Sequence, residues 1–320
     1  MAEQDNRTQA RTAITIVTHP LDSEDAPVVA TMRSFASSSK GLARGIEARK
    51  PYDALTESVS AREDVSFESG VVGNIPGVWV HPANPRAGEI VLHLHGGWFN
   101  LGTAHAYRHL VGQIAARSGA DAFIPDYRLA PEHPFPAAVD DVLACYRGLD
   151  EMGFRRIAVT GDSAGGNLAL VLASSVANRS LSVKATLVGV VALSPVTDLS
   201  LSGETYETRA EAEPYFTRPQ VAALVSAYLG DADPKNPLAS PLYASLTGLR
   251  PVRVHVGDDE VLLDDSRRYV ERAVAAGVDA RLDIWMGMAH GFVASIGQLK
   301  AAALSMQAVG GFLTEMLQTA

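Results

Sequence analysis

A mostly parallel β-sheet covered by helices on both faces is the fold class this sequence predicts, and three observations predict it. Short apolar runs alternate with helical segments from about residue 90 onward. Runs such as Ile90–Leu94 and Leu187–Val191 are apolar enough for central strands. The 320 residues suffice for one large α/β domain with a sizeable core, or for two smaller domains.

Residues 1 to about 25 are polar and are expected to be frayed or loosely docked. Residues 27–50 mix apolar and charged positions at helical spacing and stop at Pro51. A β-like region follows: Glu63 to Glu68 alternates, and Gly77-Val78-Trp79-Val80-His81 comes after a Pro-Gly turn. The strand candidates are then Ile90–His95, Ala122–Pro125, Ile157–Thr160, Leu187–Leu193, Val252–Val256 and Arg281–Trp285. Helical periodicity fits 104–118, 136–150, 164–178, 219–229, 265–276 and 298–317. Residues 197–232 break the alternation with Glu204, Tyr206, Glu207, Arg209, Glu211, Pro214, Tyr215 and Phe216. This segment is expected over the sheet edge, forming a cap with residues 27–50. The implied division is an N-terminal cap segment, 1–55, a catalytic domain, 56–196 with 233–320, and a cap insertion, 197–232.

Composition excludes several functions. The net charge is −9 and no Lys/Arg run occurs, which argues against a nucleic-acid or anionic-membrane binder. The longest apolar stretch, Ala185 to Val196, is interrupted by Ser194 and Pro195 and falls short of the ~20 residues a bilayer needs. Met1-Ala2-Glu3-Gln4-Asp5 lacks the basic start of a signal peptide. The single cysteine, Cys145, cannot form an intrachain disulfide and lies in an apolar stretch that reads as core. A cytoplasmic location is the expectation.

In a parallel sheet, ligands bind beyond the carboxyl ends of the strands, so the residues after each run carry the chemistry. Arg156–Thr160 runs into Gly161-Asp162-Ser163-Ala164-Gly165-Gly166-Asn167 and then a helical run. Gly-x-Ser-x-Gly between strand and helix is the context of a nucleophile elbow. Its glycines let strand and helix approach, the helix dipole favours negative charge at Ser163, and the Ala164 N–H points to a developing oxyanion. About 65 residues upstream, the strand Ile90–Leu94 ends in His95-Gly96-Gly97-Trp98-Phe99. Glycines there allow successive N–H groups to converge on one oxygen.

A serine nucleophile needs a base, usually histidine oriented by a carboxylate. Only His255 and His290 follow Ser163. His255 lies within an apolar strand and reads as structural, whereas His290 follows the last strand in Met286-Gly287-Met288-Ala289-His290-Gly291-Phe292. Five carboxylates follow the strand Val252–Val256. Asp264 and Asp265 precede a helical run and read as caps. Asp258, Asp259 and Glu260 remain, and periodicity does not separate them.

Together, His95-Gly96-Gly97, Gly161-Asp162-Ser163-Ala164-Gly165-Gly166, His290-Gly291-Phe292 and Asp126-Tyr127-Arg128-Leu129-Ala130-Pro131-Glu132 resemble the hormone-sensitive-lipase-like esterases, bacterial family IV, over about residues 60–315. The resemblance implies the α/β-hydrolase fold with a helical cap. It also implies Glu260 as the acid, in Glu260-Val261-Leu262-Leu263-Asp264-Asp265, where the family more often has aspartate. Asp259 is the fallback. The 126–132 stretch is expected to fix a loop beside the pocket. Trp98 replaces a third family glycine, which affects pocket size rather than mechanism. Gly97, Trp98 and Ala164 are the implied oxyanion donors, with Gly96 supporting the turn. Asp162, Phe99, Tyr215 and Phe216 are the candidates for lining the pocket.

The implied activity is hydrolysis of short-chain carboxylic esters through an acyl-enzyme on Ser163. A lactone hydrolase is a close variant and an amidase a more distant one. A non-catalytic small-molecule receptor on this fold is the rival from another class, but such proteins tend to lose the base. No metal or cofactor is needed. Arg281–Trp285 is expected at a sheet edge and, as in the family, to pair a homodimer there.

Overall fold

The computed structural model describes residues 15–38, 40–42, 45–178, 181 and 183–319. The strands are β1 (Thr15–His19), β2 (Val65–Val72), β3 (Ile75–Pro82), β4 (Glu89–Leu94), β5 (Asp121–Pro125), β6 (Arg156–Asp162), β7 (Thr186–Leu193), β8 (Val252–Gly257) and β9 (Ala280–Trp285). The helices are α1 (Asp25–Ser37), α2 (Arg49–Glu57), α3 (Ala104–Ser118), α4 (Ala137–Glu151), α5 (Ala164–Ala177), α6 (Thr205–Thr208), α7 (Arg218–Leu229), α8 (Leu263–Ala275) and α9 (Lys300–Gln318).

The nine strands form one sheet in the order β1-β9-β8-β7-β6-β4-β5-β3-β2. All neighbours run parallel except β2 with β3 and β3 with β5. This is an α/β-hydrolase fold. Central strands are apolar on both faces because both faces are covered. On β4, Ile90, Leu92 and Leu94 join the core with α4, α5 and α8, whereas Val91 packs toward α3 and α9. Cys145 of α4 is fully buried, and burial pushes its thiol up.

The fold departs from the sequence expectations in three places. First, β9 is not an edge. Residues 15–19, expected to be loosely docked, form β1 and pair with it from Thr15↔Arg281 to His19↔Trp285. A short, half-polar strand suits this outer position, where one face meets water. The homodimer expected through residues 281–285 therefore has no free backbone there to pair with. Residues 1–14 lie outside the described residues. Second, the hairpin before β3 turns at Gly73-Asn74, with φ of +59° and +66°, and not at Pro76-Gly77, which lies within β3. Two left-handed residues match a tight hairpin turn. Third, Pro51 does not stop a helix. It occupies the first turn of α2, where its missing N–H has no helical partner to lose.

The N-terminal segment touches the 197–232 insertion. Arg33 donates to Ala212 O at 2.6 Å, Lys40 Nζ to Ala210 O at 2.5 Å, and Gln220 Nε2 to Leu42 O at 2.6 Å. Within the insertion, Thr217 and Gln220 close a capping box that starts α7. Among the described residues, no helix is long and apolar enough to cross a membrane.

Candidate active site

Between β6 and α5, Ser163 has φ +53° and ψ −117°, a conformation that L residues rarely adopt. Strain of this kind costs about 1–3 kcal/mol and persists only where surrounding structure enforces it. Here the Ser163 N–H donates to Leu193 O at 2.8 Å and its carbonyl accepts from Val196 N at 3.2 Å, tying the turn to β7. The flanking glycines are sterically required. A Cβ on Gly161 would lie 2.2 Å from Gly165 O, and one on Gly165 would lie 1.9 Å from Leu94 O. The turn leaves Ser163 4% exposed at the N-terminus of α5.

The loop after β4 approaches this turn. Gly97, Trp98 and Phe99 all have left-handed backbones, with φ of +111°, +52° and +62°. That geometry explains why glycine suits position 98, and Trp98 adopts it at some backbone cost. Among the described residues, the N–H groups of Gly97, Trp98 and Ala164 have no acceptor. The Gly96 N–H differs: it donates to Asp162 Oδ1 at 3.0 Å. Gly96 is thus spent on holding the loop and has no N–H left for an oxyanion. The same contact corrects Asp162, whose carboxylate faces Gly96 and Tyr107 instead of lining the pocket. Phe99 is corrected too, since it is 1% exposed and its ring stacks on Tyr228 of α7 at 3.8 Å.

Trp98 and Phe216 are the aromatic groups at this site. The indole meets Phe216 edge-on at 5.5 Å, and Phe216 meets the His290 ring at 5.2 Å. Tyr215 lines a cleft, partly open to solvent, together with Val29, Met32, Arg33, His290 and Phe292.

His93 and His95 share a side, as positions two apart in an extended chain do. The strand ends at Leu94, and both rings pack near Tyr107, at 6.0 Å for His93 and 5.3 Å for His95. No metal-holding cluster of His, Cys, Asp and Glu occurs among the described residues. The 126–132 stretch braces its surroundings. Asp126 accepts from Ala104 N at 2.6 Å, Arg128 pairs with Asp141, and Glu132 pairs with Arg49 at 2.7 Å.

The three carboxylates after β8 separate by partner. Glu260, fully buried, accepts from His290 Nδ1 at 2.8 Å through Oε2. Its Oε1 accepts from Ser194 Oγ at 2.6 Å and Gly257 N at 2.7 Å. Asp258 accepts from Gly287 N, and Asp259 pairs with Arg33 of α1. Asp264 and Asp265 do not cap α8 as expected, because they lie inside its first turn. They bind the segment after β7 instead: Asp264 accepts from Thr205 N at the start of α6, and Asp265 from Thr197 N and Asp198 N. Burial pushes the Asp265 carboxyl up to about 7.

With Nδ1 bonded to a carboxylate oxygen, the neutral His290 ring carries its proton there and leaves Nε2 as a base. Burial works against a charged ring, but the Glu260 charge and hydrogen bond outweigh it and hold the His290 pKa above the ordinary histidine value. His255 behaves oppositely, since burial brings it down to about 4 between Trp285 and Ser305.

Glu213, Ser194, Tyr52 and Tyr107 were not singled out from the sequence. Glu213 of the insertion is fully buried and accepts from Tyr215 N at 2.9 Å and Val261 N at 3.3 Å. Burial pushes its carboxyl up to about 7, with the nearby His290 opposing. Nothing in its neighbours' polarity signals this. Tyr107 shares a helical face with Leu110, Val111 and Ile114, a spacing that points to burial and not to a site.

The chain matches a family described as having an alpha/beta hydrolase fold over residues 91–294. An acetyl-hydrolase of Streptomyces hygroscopicus is 35% identical over 244 residues, covering 76% of this chain and 80% of that protein. The crystal structure of EstE5 soaked by p-nitrophenyl butyrate is 35% identical, covers 92% of this chain and 99% of that one, and superposes with a TM-score of 0.85. An esterase from the bacterial hormone-sensitive lipase family is 34% identical, with the same coverage and a TM-score of 0.85.

Proposed function

The chain belongs to the alpha/beta hydrolase fold family, among its hormone-sensitive-lipase-like carboxylic ester hydrolases, and on that premise we propose that it is a serine esterase of short-chain esters working through an acyl-enzyme on Ser163. His290 Nε2 takes the Ser163 proton as the hydroxyl attacks the ester carbonyl. The N–H groups of Gly97, Trp98 and Ala164 receive the oxyanion. The proton passes from His290 to the departing alcohol, and water then repeats the sequence on the acyl-enzyme. Glu260 holds the imidazole tautomer and stabilises the imidazolium.

The observation that carries this reading is the 2.8 Å hydrogen bond between His290 Nδ1 and the buried Glu260, taken with the elbow conformation of Ser163. Short acyl groups are favoured because Trp98 and Phe216 close off space where the family has a glycine. An acetyl-hydrolase among the relatives and a p-nitrophenyl butyrate soak of a structural neighbour agree with small acyl groups. We also infer that the N-terminal segment and residues 197–232 together cap the site, supported by their mutual hydrogen bonds.

The test is a panel of p-nitrophenyl esters from acetate to decanoate. Turnover should be highest for short chains and vanish in Ser163→Ala. A Ser163→Ala protein as active as the parent ends the proposal. A lactone panel run alongside separates the ring-opening variant.

A further inference from the structure

A chain of part-buried hydroxyl and carboxylate contacts links the N-terminal segment to the loop after β4. Gly96 N–H donates to Asp162 Oδ1 at 3.0 Å, and Tyr107 Oη donates to Asp162 Oδ2 at 3.1 Å. Tyr52 Oη of α2 lies 2.7 Å from Tyr107 Oη. A phenol has one proton. Tyr107 gives its proton to the carboxylate, so Tyr52 is the donor in the last link. Burial raises the pKa of both phenols well above the ordinary value, so each remains a neutral donor.

The packing leaves little slack. A Cβ at residue 96 would lie 2.2 Å from Asp162 Oδ2 and 3.0 Å from Tyr107 Oη, so carboxylate and phenol both press on the loop backbone. His93 Nε2 stands 3.5 Å from the other carboxylate oxygen. Asp162 immediately precedes Ser163, so one carboxylate sets the spacing between the elbow, with its Ala164 N–H, and the loop that carries the Gly97 and Trp98 N–H groups. Without the Tyr107 hydroxyl, Oδ2 loses its donor and the carboxylate is free to turn, taking the Gly96 N–H with it.

We propose that Tyr107, itself held by Tyr52 of the N-terminal helix α2, is a positioning residue that fixes the oxyanion-binding loop through Asp162 and Gly96. The proposal rests on the reading of Ser163 as nucleophile. It makes α2 part of the catalytic geometry and not only a cover.

The experiment uses the full chain with Tyr107→Phe, Tyr52→Phe and the double variant, each checked for folding by thermal melt. For Tyr107→Phe, kcat should fall about 10- to 100-fold, less than loss of an oxyanion donor itself, with KM within about twofold. Affinity for a trifluoromethyl ketone, which forms a tetrahedral adduct on the nucleophile, should fall by the same factor as kcat/KM. Tyr52→Phe should show a smaller loss in the same direction. The double variant should match Tyr107→Phe, because Tyr52 acts only through Tyr107.

A folded Tyr107→Phe with unchanged kcat, an unchanged ketone affinity, or single losses that multiply in the double variant overturns the proposal. If Tyr107→Phe does not fold, the half-buried Tyr52→Phe decides: kcat and ketone affinity must fall together, or the proposal is wrong. Undiminished turnover by Ser163→Ala would instead sink the reading beneath it.

Discussion

Replacing Glu260 with glutamine exchanges one carboxylate oxygen for an NH₂ group in a fully buried site with three donors around it. Either orientation of the amide is unfavourable. If its oxygen faces Ser194 and Gly257, the NH₂ meets His290 Nδ1 and drives the ring proton to Nε2, where it blocks attack by Ser163. If the oxygen faces His290, the NH₂ confronts the Gly257 N–H, a donor against a donor. A buried unsatisfied N–H costs about 1–3 kcal/mol, and losing a charged hydrogen-bond partner costs about 1.5–3 kcal/mol more. The combined loss in the transition state, about 2.5–6 kcal/mol, corresponds to a fall of roughly 10²- to 10⁴-fold in kcat/KM. The assay is hydrolysis of p-nitrophenyl acetate, with a fluorophosphonate counting competent Ser163. A loss smaller than tenfold refutes the assignment of the acid. So does a larger loss in Asp259→Asn, whose carboxylate is engaged by Arg33.

Three further outcomes are expected. The base works only when neutral, and its pKa lies above the ordinary histidine value, so kcat/KM should decline as pH drops through a point above about 6.5. A Glu260→Gln background should move that point down, because burial is then less opposed, and a pH–rate profile reads both. Gly165→Ala would drive a Cβ to 1.9 Å from Leu94 O and should destabilise by about 1–3 kcal/mol or prevent folding, and an unchanged urea midpoint would refute the clash. Trp98→Gly should open the pocket and relieve the left-handed backbone, raising preference for longer acyl chains by about fourfold per CH₂ accommodated, from about 0.8 kcal/mol each. An unaltered chain-length profile would show that the indole does not bound the acyl site.

The parts legible in the sequence were those where one physical requirement dominates. Strands buried on both faces read as unbroken apolar runs, and β4, β7 and β8 lie within a residue or so of the runs that announce them. The elbow was legible because only glycine fits at positions 161 and 165. Features set by partners distant in the chain were not. The strand β1 is half-polar, and nothing in Thr15–His19 says that β9 awaits it. Asp258, Asp259 and Glu260 are adjacent carboxylates with no periodic difference, and only the positions of Gly287, Arg33 and His290 tell them apart. Glu213 and Tyr107 escape for a related reason, since burial of a polar group is decided by what folds over it.

The pairing of Thr15 with Arg281 joins the two ends of the chain in one hydrogen-bonded ladder. During synthesis β1 emerges long before β9, the strand it pairs with, exists, so this margin of the sheet is the last part to close. Chains halted before residue 280 would leave β1 unpaired, and chains nicked near residue 20 that lose β1 would leave the backbone of β9 bare, a row of unmatched amides open to other chains. For this molecule, aggregation in the cell should therefore be governed by how quickly an amino-terminal ribbon finds a carboxy-terminal dock, more than by the strength of the interior.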